Sequence, residues 1–356
     1  MRTGIVIALS TALAVLPALP AAAEPSPPSP DASPALPEGS EVLFRIEDPR
    51  IRESSGLAAS RLHDGVYWTH NDSGDYGPDL YAVDETGATL ATVTLAGTGV
   101  EARDWEAVAV GTGSDGDPAV YVGDIGDNFQ GGWPNVRVYR FTEPDVLTDQ
   151  TVDATTFTFT YEDGGRDAEA MMVDPRDGRL YVISKEVAGG VYAAPADLDP
   201  EGTNTLTRVD SAPLFATDAA FAPDGRHYAV RTYWGATVYD AADGVPGRGV
   251  DRLNLPELDQ GESMTFGHDG SALLVGTEGP GSPVWRIPLP GEVTADADGG
   301  DGDGDGSAAE PGAESGGSAA DDDGAAAGGG PSPLLWTGVG LAVVLIAGIT
   351  LLARAA

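Results

Sequence analysis

Five acidic residues each open a short run of small and apolar residues: Glu53 before Ser-Ser-Gly-Leu-Ala, Glu106 before Ala-Val-Ala-Val, Glu169 before Ala-Met-Met-Val, Asp218 before Ala-Ala-Phe-Ala and Glu262 before Ser-Met-Thr-Phe. They follow one another at intervals of 53, 63, 49 and 44 residues. Carboxylates repeated at the starts of equivalent strands gather on one face. Neighbours about 8 Å apart there repel by about 2 kcal/mol at an effective dielectric near 20. Three responses are open: a bound cation, pairing with Lys185 and Arg231, or raised pKa values that leave some carboxyls neutral. Oxygen donors with Asn71 and Asn128 close by, and no Cys in the chain, fit Ca²⁺ better than a transition metal. Glu53, Glu106, Glu169, Asp218 and Glu262 are therefore the candidate metal ligands. A plainer account stands beside this one, in which each acidic starter hydrogen-bonds backbone amides at the mouth of a channel.

A second set of polar residues follows the next strand of each repeat: His70-Asn71-Asp72, Asp124 to Asn128, Ser184-Lys185-Glu186, Arg231-Thr232-Tyr233-Trp234 and Thr277-Glu278. Asn71, Asp72, Asp124, Asn128, Lys185, Arg231, Tyr233 and Trp234 are the candidate ligand contacts. Aromatic faces beside carboxylates and amides suit a sugar or a cationic group. The first functional reading is thus a binding module for a polar small molecule or a cell-surface glycan. The alternative is a metal-dependent hydrolase, resembling in architecture the propeller lactonases and phytases, in which a central ion activates water. A five-bladed glycosidase is a further form of it, and requires two carboxyls about 5 to 9 Å apart with different pKa values. The third reading is a purely structural display protein. So acidic a face repels phosphate, His63, His70, His227 and His268 show no metal-ligand spacing, and no G-x-S-x-G elbow occurs.

These residues need elements to hold them. From about Glu41 to Pro290 the chain reads as short β segments parted by Gly, Asp and Pro turns, such as Asp177-Gly178, Asp224-Gly225 and Asp269-Gly270. The intervals lie near the 40 to 50 residues of a four-stranded propeller blade. Second strands are expected at Val66-Tyr67-Trp68, Val120-Tyr121-Val122 and Leu180 to Ile183, and third strands at Leu80 to Val83, Val136 to Tyr139, Thr237 to Tyr239 and Pro283 to Ile287. Fourth strands are expected at Thr89 to Leu95, Thr155 to Tyr161 and Thr205 to Val209. The last repeat ends after its third strand, and Glu41 to Ile46 alternates like a strand that supplies the missing edge and closes the ring. Closure removes exposed sheet edges. The expected fold is all-β, a five-bladed propeller over 41–290, with six blades of about 42 residues as the alternative.

The strings Glu53-Ser54-Ser55-Gly56-Leu57-Ala58, Tyr67 to Gly74 (YWTHNDSG), Asp104-Trp105-Glu106 and Gly123-Asp124-Ile125-Gly126-Asp127-Asn128 resemble exported actinobacterial proteins described as β-propeller or WD40-like repeat proteins. The resemblance covers the body, is most specific in the first two repeats, and implies a fold without an assigned activity. The Trp-Asp dipeptide that ends a WD40 unit is missing.

The rest of the chain reads as delivery and display. Residues 1–23 have one basic residue, an apolar run and Ala21-Ala22-Ala23, the pattern of a cleaved signal peptide. Residues 24–40 are a Pro/Ser-rich spacer and 291–332 an acidic Gly/Asp-rich stalk, which cannot bury enough apolar surface to order themselves. Asp301, Asp303, Asp305 and Gly306 copy the start of a calcium loop, but position 312, where its bidentate Glu belongs, is Gly312. Residues 333–354 enclose an uncharged run from Leu334 to Ala353, long enough for one transmembrane helix. The expectation is a monomer anchored in the cell membrane with its body outside. With 19 basic and 56 acidic residues the net charge is 19 − 56 = −37, which argues against a nucleic-acid partner. The lack of cysteine removes disulfides, thiol catalysis and Cys-type zinc sites.

Overall fold

The computed structural model describes residues 35–72, 76–129, 131–291 and 293. The expected signal peptide and transmembrane helix lie outside them, as do most of the spacer and all of the stalk but residues 291 and 293, of which Val293 packs beside Ile287 and Leu289. Of that spacer, residues 35–40 are described, and Asn254 Nδ2 donates to Ala35 O at 3.0 Å. No helix among the described residues is long and apolar enough to cross a membrane.

The described elements are strands. After β1 (Glu41–Arg45) come β2 (Ser54–Ala59), β3 (Val66–Asn71), β4 (Asp79–Asp84) and β5 (Thr89–Ala96). A second group holds β6 (Trp105–Thr112), β7 (Pro118–Asp124), β8 (Val136–Thr142), the short β9 (Gln150–Asp153) and β10 (Thr155–Tyr161). The third is β11 (Ala168–Val173), β12 (Leu180–Ser184), β13 (Gly190–Ala193) and β14 (Thr203–Ser211), and the fourth β15 (Ala216–Phe221), β16 (His227–Thr232), β17 (Gly235–Asp240) and β18 (Arg248–Leu253). β19 (Met264–Phe266), β20 (Ala272–Val275) and β21 (Pro283–Pro288) finish the series.

Apart from β9, each group pairs as an antiparallel sheet of four strands, and β1 completes the last one by pairing antiparallel with β21, Glu41 opposite Arg286. The innermost strands β2, β6, β11, β15 and β19 touch in that order, and β19 touches β2 again. The all-β sheets therefore form a closed propeller in which the N-terminal strand supplies the final edge. The outer edges are stitched as well, since β9 runs parallel to β5 and β10 parallel to β14.

The apolar residues that alternate along the strands fill the spaces between successive sheets. Trp68, Leu80, Val108 and Tyr139 meet between the first and second sheets, Tyr121, Phe159, Met171 and Val182 between the second and third. Met172, Ile183, Tyr228 and Val230 lie between the third and fourth, Val238, Met264, Phe266 and Leu273 between the fourth and fifth, and Phe44, Leu57, Tyr67 and Val284 close the circle. Every sheet is thus clamped on both faces, which keeps the strand ends around the hub in place without a disulfide.

Candidate functional site

Pairing of the first and second strand in each sheet sets Ser54 opposite Asn71, Trp105 opposite Asp124, Ala168 opposite Ser184 and Ala216 opposite Thr232. The start of the innermost strand and the end of the second therefore share one face of the ring. Near this same end the register slips in four sheets, between Ser54 and Leu57, Trp105 and Ala107, Ala168 and Ala170, and Ala216 and Asp218. A bulge leaves its extra residue outside the ladder and re-aims it. In β6 and β11 that residue is the carboxylate itself, Glu106 and Glu169.

Asp72, Asp104 and Glu106 offer one oxygen each within 4.8 Å of one another. At such a separation a pair of full charges repels by about 3 kcal/mol at an effective dielectric near 20. Glu106 is buried and accepts from Ser55 Oγ at 3.1 Å. Burial, followed by the charges of Glu169, Asp72, Glu262 and Asp104, pushes its carboxyl well above the ordinary range. Gly126 permits the approach: a Cβ there would lie 2.6 Å from Glu106 Oε1 and 2.7 Å from Asp104 Cγ.

Next to this cluster, Lys185 Nζ bonds Glu169 Oε1 and stands 3.8 Å from Glu262 Oε1. Tyr233 donates its hydroxyl to Glu262 Oε1 at 2.9 Å, and its ring lies 5.2 Å from Lys185 Nζ. Burial opposes the lysine's charge, yet Glu169 and Glu262 outweigh it and hold Lys185 well above its usual value. Burial and Glu262 raise Glu169 while Lys185 draws it down, with a net upward direction. Glu169 Oε2 is buried and makes no hydrogen bond. Glu278 is pushed up to about 9 by burial, by the charge of and a hydrogen bond to Glu262, and by Asp72 and Glu53. One ammonium cannot balance these carboxylates, so protons or a cation must answer the remainder.

The other expected site residues have different work. Asp218 is completely buried and sits one position further along its strand than Glu106 and Glu169, because the bulged residue of β15 is Thr217. It accepts from Ala219 N at 2.7 Å and Met264 N at 2.5 Å, so it ties the fourth sheet to the fifth, and burial raises it well above the usual range. For this member of the repeat the plain amide-binding account describes the contacts. Arg231 is buried below the crown, donating from Nη1 to Ser263 O and Gly276 O. Burial lowers it to about 10. Asn71 Oδ1 accepts from Arg52 N and Glu53 N, and Asn71 Nδ2 donates to Arg50 O, all at 3.0 Å or less. Asp124 accepts from Asp104 N at 2.8 Å and Tyr139 Oη at 2.9 Å. These four residues build the rim and do not line it. Asn128 bonds Asp104 through Nδ2 at 3.3 Å, Glu53 adds to the charge felt by Glu278, and Trp234 is exposed at the edge.

Asp104, Gly126 and Glu278 join the site without having been among the expected ligands. A signal for Asp104 existed in the doubled pattern Asp104-Trp105-Glu106 and Asp167-Ala168-Glu169. Burial raises Asp167 as well, and its Oδ1 accepts from Asp127 N at 2.8 Å.

No protein family matches the sequence, and no curated protein matches it. Among solved structures it is similar to a gluconolactonase from Xanthomonas campestris described as important in glucose secondary metabolic pathways. That similarity has 16% identity and a TM-score of 0.43, covering 73% of this chain and 98% of the other.

Proposed function

We propose that the protein is a divalent-cation-dependent hydrolase of uncharged esters or lactones, working at the carboxylate end of the propeller hub. The observation that carries this reading is the convergence of Asp72, Asp104 and Glu106, three oxygen donors within 4.8 Å over a glycine whose Cβ would fill the space. Such a hard, oxygen-only set suits Ca²⁺. These three residues would hold the ion. When bound, it would polarise an acyl carbonyl and lower the pKa of a coordinated water. Glu169, whose buried Oε2 makes no hydrogen bond, would be the group that takes up a proton. Lys185 Nζ would supply positive charge to an acyl oxygen that gains negative charge. Tyr233 and Glu262 orient that ammonium. An uncharged substrate avoids the repulsion that a phosphate would meet.

Binding without turnover is the weaker reading, because Asn71, Asp124 and Arg231 are committed to backbone and side-chain partners within the fold. Display on the outer side of a membrane, through the expected anchor, belongs to the same proposal.

The full-length protein is to be assayed on a δ-lactone and a p-nitrophenyl ester with calcium and with chelator. Hydrolysis that needs calcium and drops about a hundredfold or more in Glu106→Gln is expected, since one catalytic electrostatic contact contributes on that scale. A chelator that changes neither turnover nor melting overturns the reading.

A further inference from the structure

Large apolar side chains stand at the rim beside the carboxylates: Trp234 is 53% exposed, Val187 50% and Leu214 43%. Single exposed apolar residues need no explanation, but a group of them at the edge of a polar site marks a contact surface. Tyr233 connects the group to the hub, through its hydroxyl on Glu262 and its ring beneath Lys185. Trp234 meets Tyr233 edge-on, with ring centres 6.2 Å apart, and on its other side has Phe215 at 6.1 Å. Phe215 has a φ of +52°, the one positive value among the described non-glycine residues. A bulky side chain adopts that conformation only where its surroundings enforce it, and such residues gather at ligand clamps. Phe215 N donates to Glu186 O at 3.1 Å, tying the loop that carries Leu214 to the loop that carries Val187.

We propose that Trp234, backed by Phe215 and flanked by Leu214 and Val187, is the platform for an alkyl or aryl chain on the substrate. The substrate class is then an amphipathic ester or lactone, its polar head among the carboxylates and its chain lying across the lip. This rests on the hydrolase reading for the nature of the head alone. Continuity with the carboxylate site decides for a substrate chain over a second protein copy: Trp234 is next in sequence to Tyr233, which itself touches both Lys185 and Glu262.

The test is calorimetric binding of 6-alkyl-δ-lactams to the full-length protein, since these keep the ring carbonyl but resist hydrolysis. A fully buried methylene strengthens binding about fourfold, so one lying on an open lip should give about twofold. Affinity should rise about tenfold or more from the methyl to the pentyl lactam. Trp234→Ala should remove that rise while retaining the methyl lactam, Trp234→Phe should keep most of it, and Phe215→Gly, which relieves the backbone but deletes the ring, should lose part. A flat response in the native chain, including no binding at all, overturns the proposal, as does an unchanged rise in Trp234→Ala. Sedimentation of Trp234→Ala adds a control: a dimer becoming a monomer would assign the lip to a second copy and overturn it too. Turnover of the parent lactone is read separately. A chain-length response without turnover sinks the hydrolase reading and leaves the lip, and turnover without the response does the reverse.

Discussion

The two ends of the central channel are made by the same strands and differ in chemistry: one gathers carboxylates, the other mixes apolar side chains with a few polar ones. At the crown end stand Asp72, Asp104, Glu106, Glu169, Lys185 and Glu262, most of them buried. At the far end the same innermost strands line a cavity of about 370 Å³ with apolar residues such as Leu57, Val108, Met172 and Phe266, and Ser60, Arg61, Asp64 and His268 complete its wall. The bulges lie at the crown end of β2, β6, β11 and β15, where they lift side chains out of the ladder. Beyond them the pairing is regular, and apolar side chains such as Ala58 and Phe266 line the cavity. Charge is thus concentrated where the backbone is irregular, and the regular half of each strand supplies the rigidity that holds it.

The largest effect is expected where one buried carboxylate ties two sheets together. Asp218→Ala deletes the acceptor of Ala219 N and Met264 N in a fully buried place, and should cost about 3 kcal/mol or more in urea denaturation. A cost near zero would mean that the fourth and fifth sheets do not depend on this contact. Gly126→Ala acts on the crown alone. Its Cβ intrudes on the buried Glu106 and Asp104, so the calcium-free protein should lose about 1 to 3 kcal/mol, and the further stabilisation of about 2.7 kcal/mol expected from calcium at a hundred times its Kd should vanish.

A smaller effect comes from protonation. Because the folded protein raises the Glu278 carboxyl from 4.5 to about 9, its contribution to stability is fully present below about pH 4.5 and is lost as pH rises toward 9. Glu278→Gln should flatten that decline and raise Tm at pH 8 by a few degrees, with calcium absent. A Tm lowered at pH 8 would contradict the raised value. The smallest effect belongs to the cavity end: Ala220→Ser should stay within about 0.5 kcal/mol and leave the calcium response intact.

Much of this architecture was legible in the repeated acidic starters and turn residues. The second and third strands at Val66, Leu80, Val120, Val136 and Leu180 fall where the apolar runs predict them, and β1 closes the last sheet. The third strand of the third sheet, Gly190–Ala193, and the fourth of the fourth, Arg248–Leu253, carry no clear sequence signal, since one is four residues long and the other is mostly polar. The site was less legible than the fold. Glu106 and Asp218 occupy the same place in the sequence repeat, but a bulge one residue apart sends the first to the crown and the second into a clamp between sheets.

Composition and periodicity by themselves determined that the chain folds as β-sheets in repeating units and that it carries more negative charge than its few cations can balance. Those properties are local: alternation sets which side chains face inward, and glycine and aspartate set the turns. Only the tertiary structure decided which carboxylates meet, because the separation of Asp72, Asp104 and Glu106 depends on the register of two sheets and on a glycine from the second of them. A shift of one residue reverses the direction of a side chain on a strand, and a repeat read along the chain does not contain that shift.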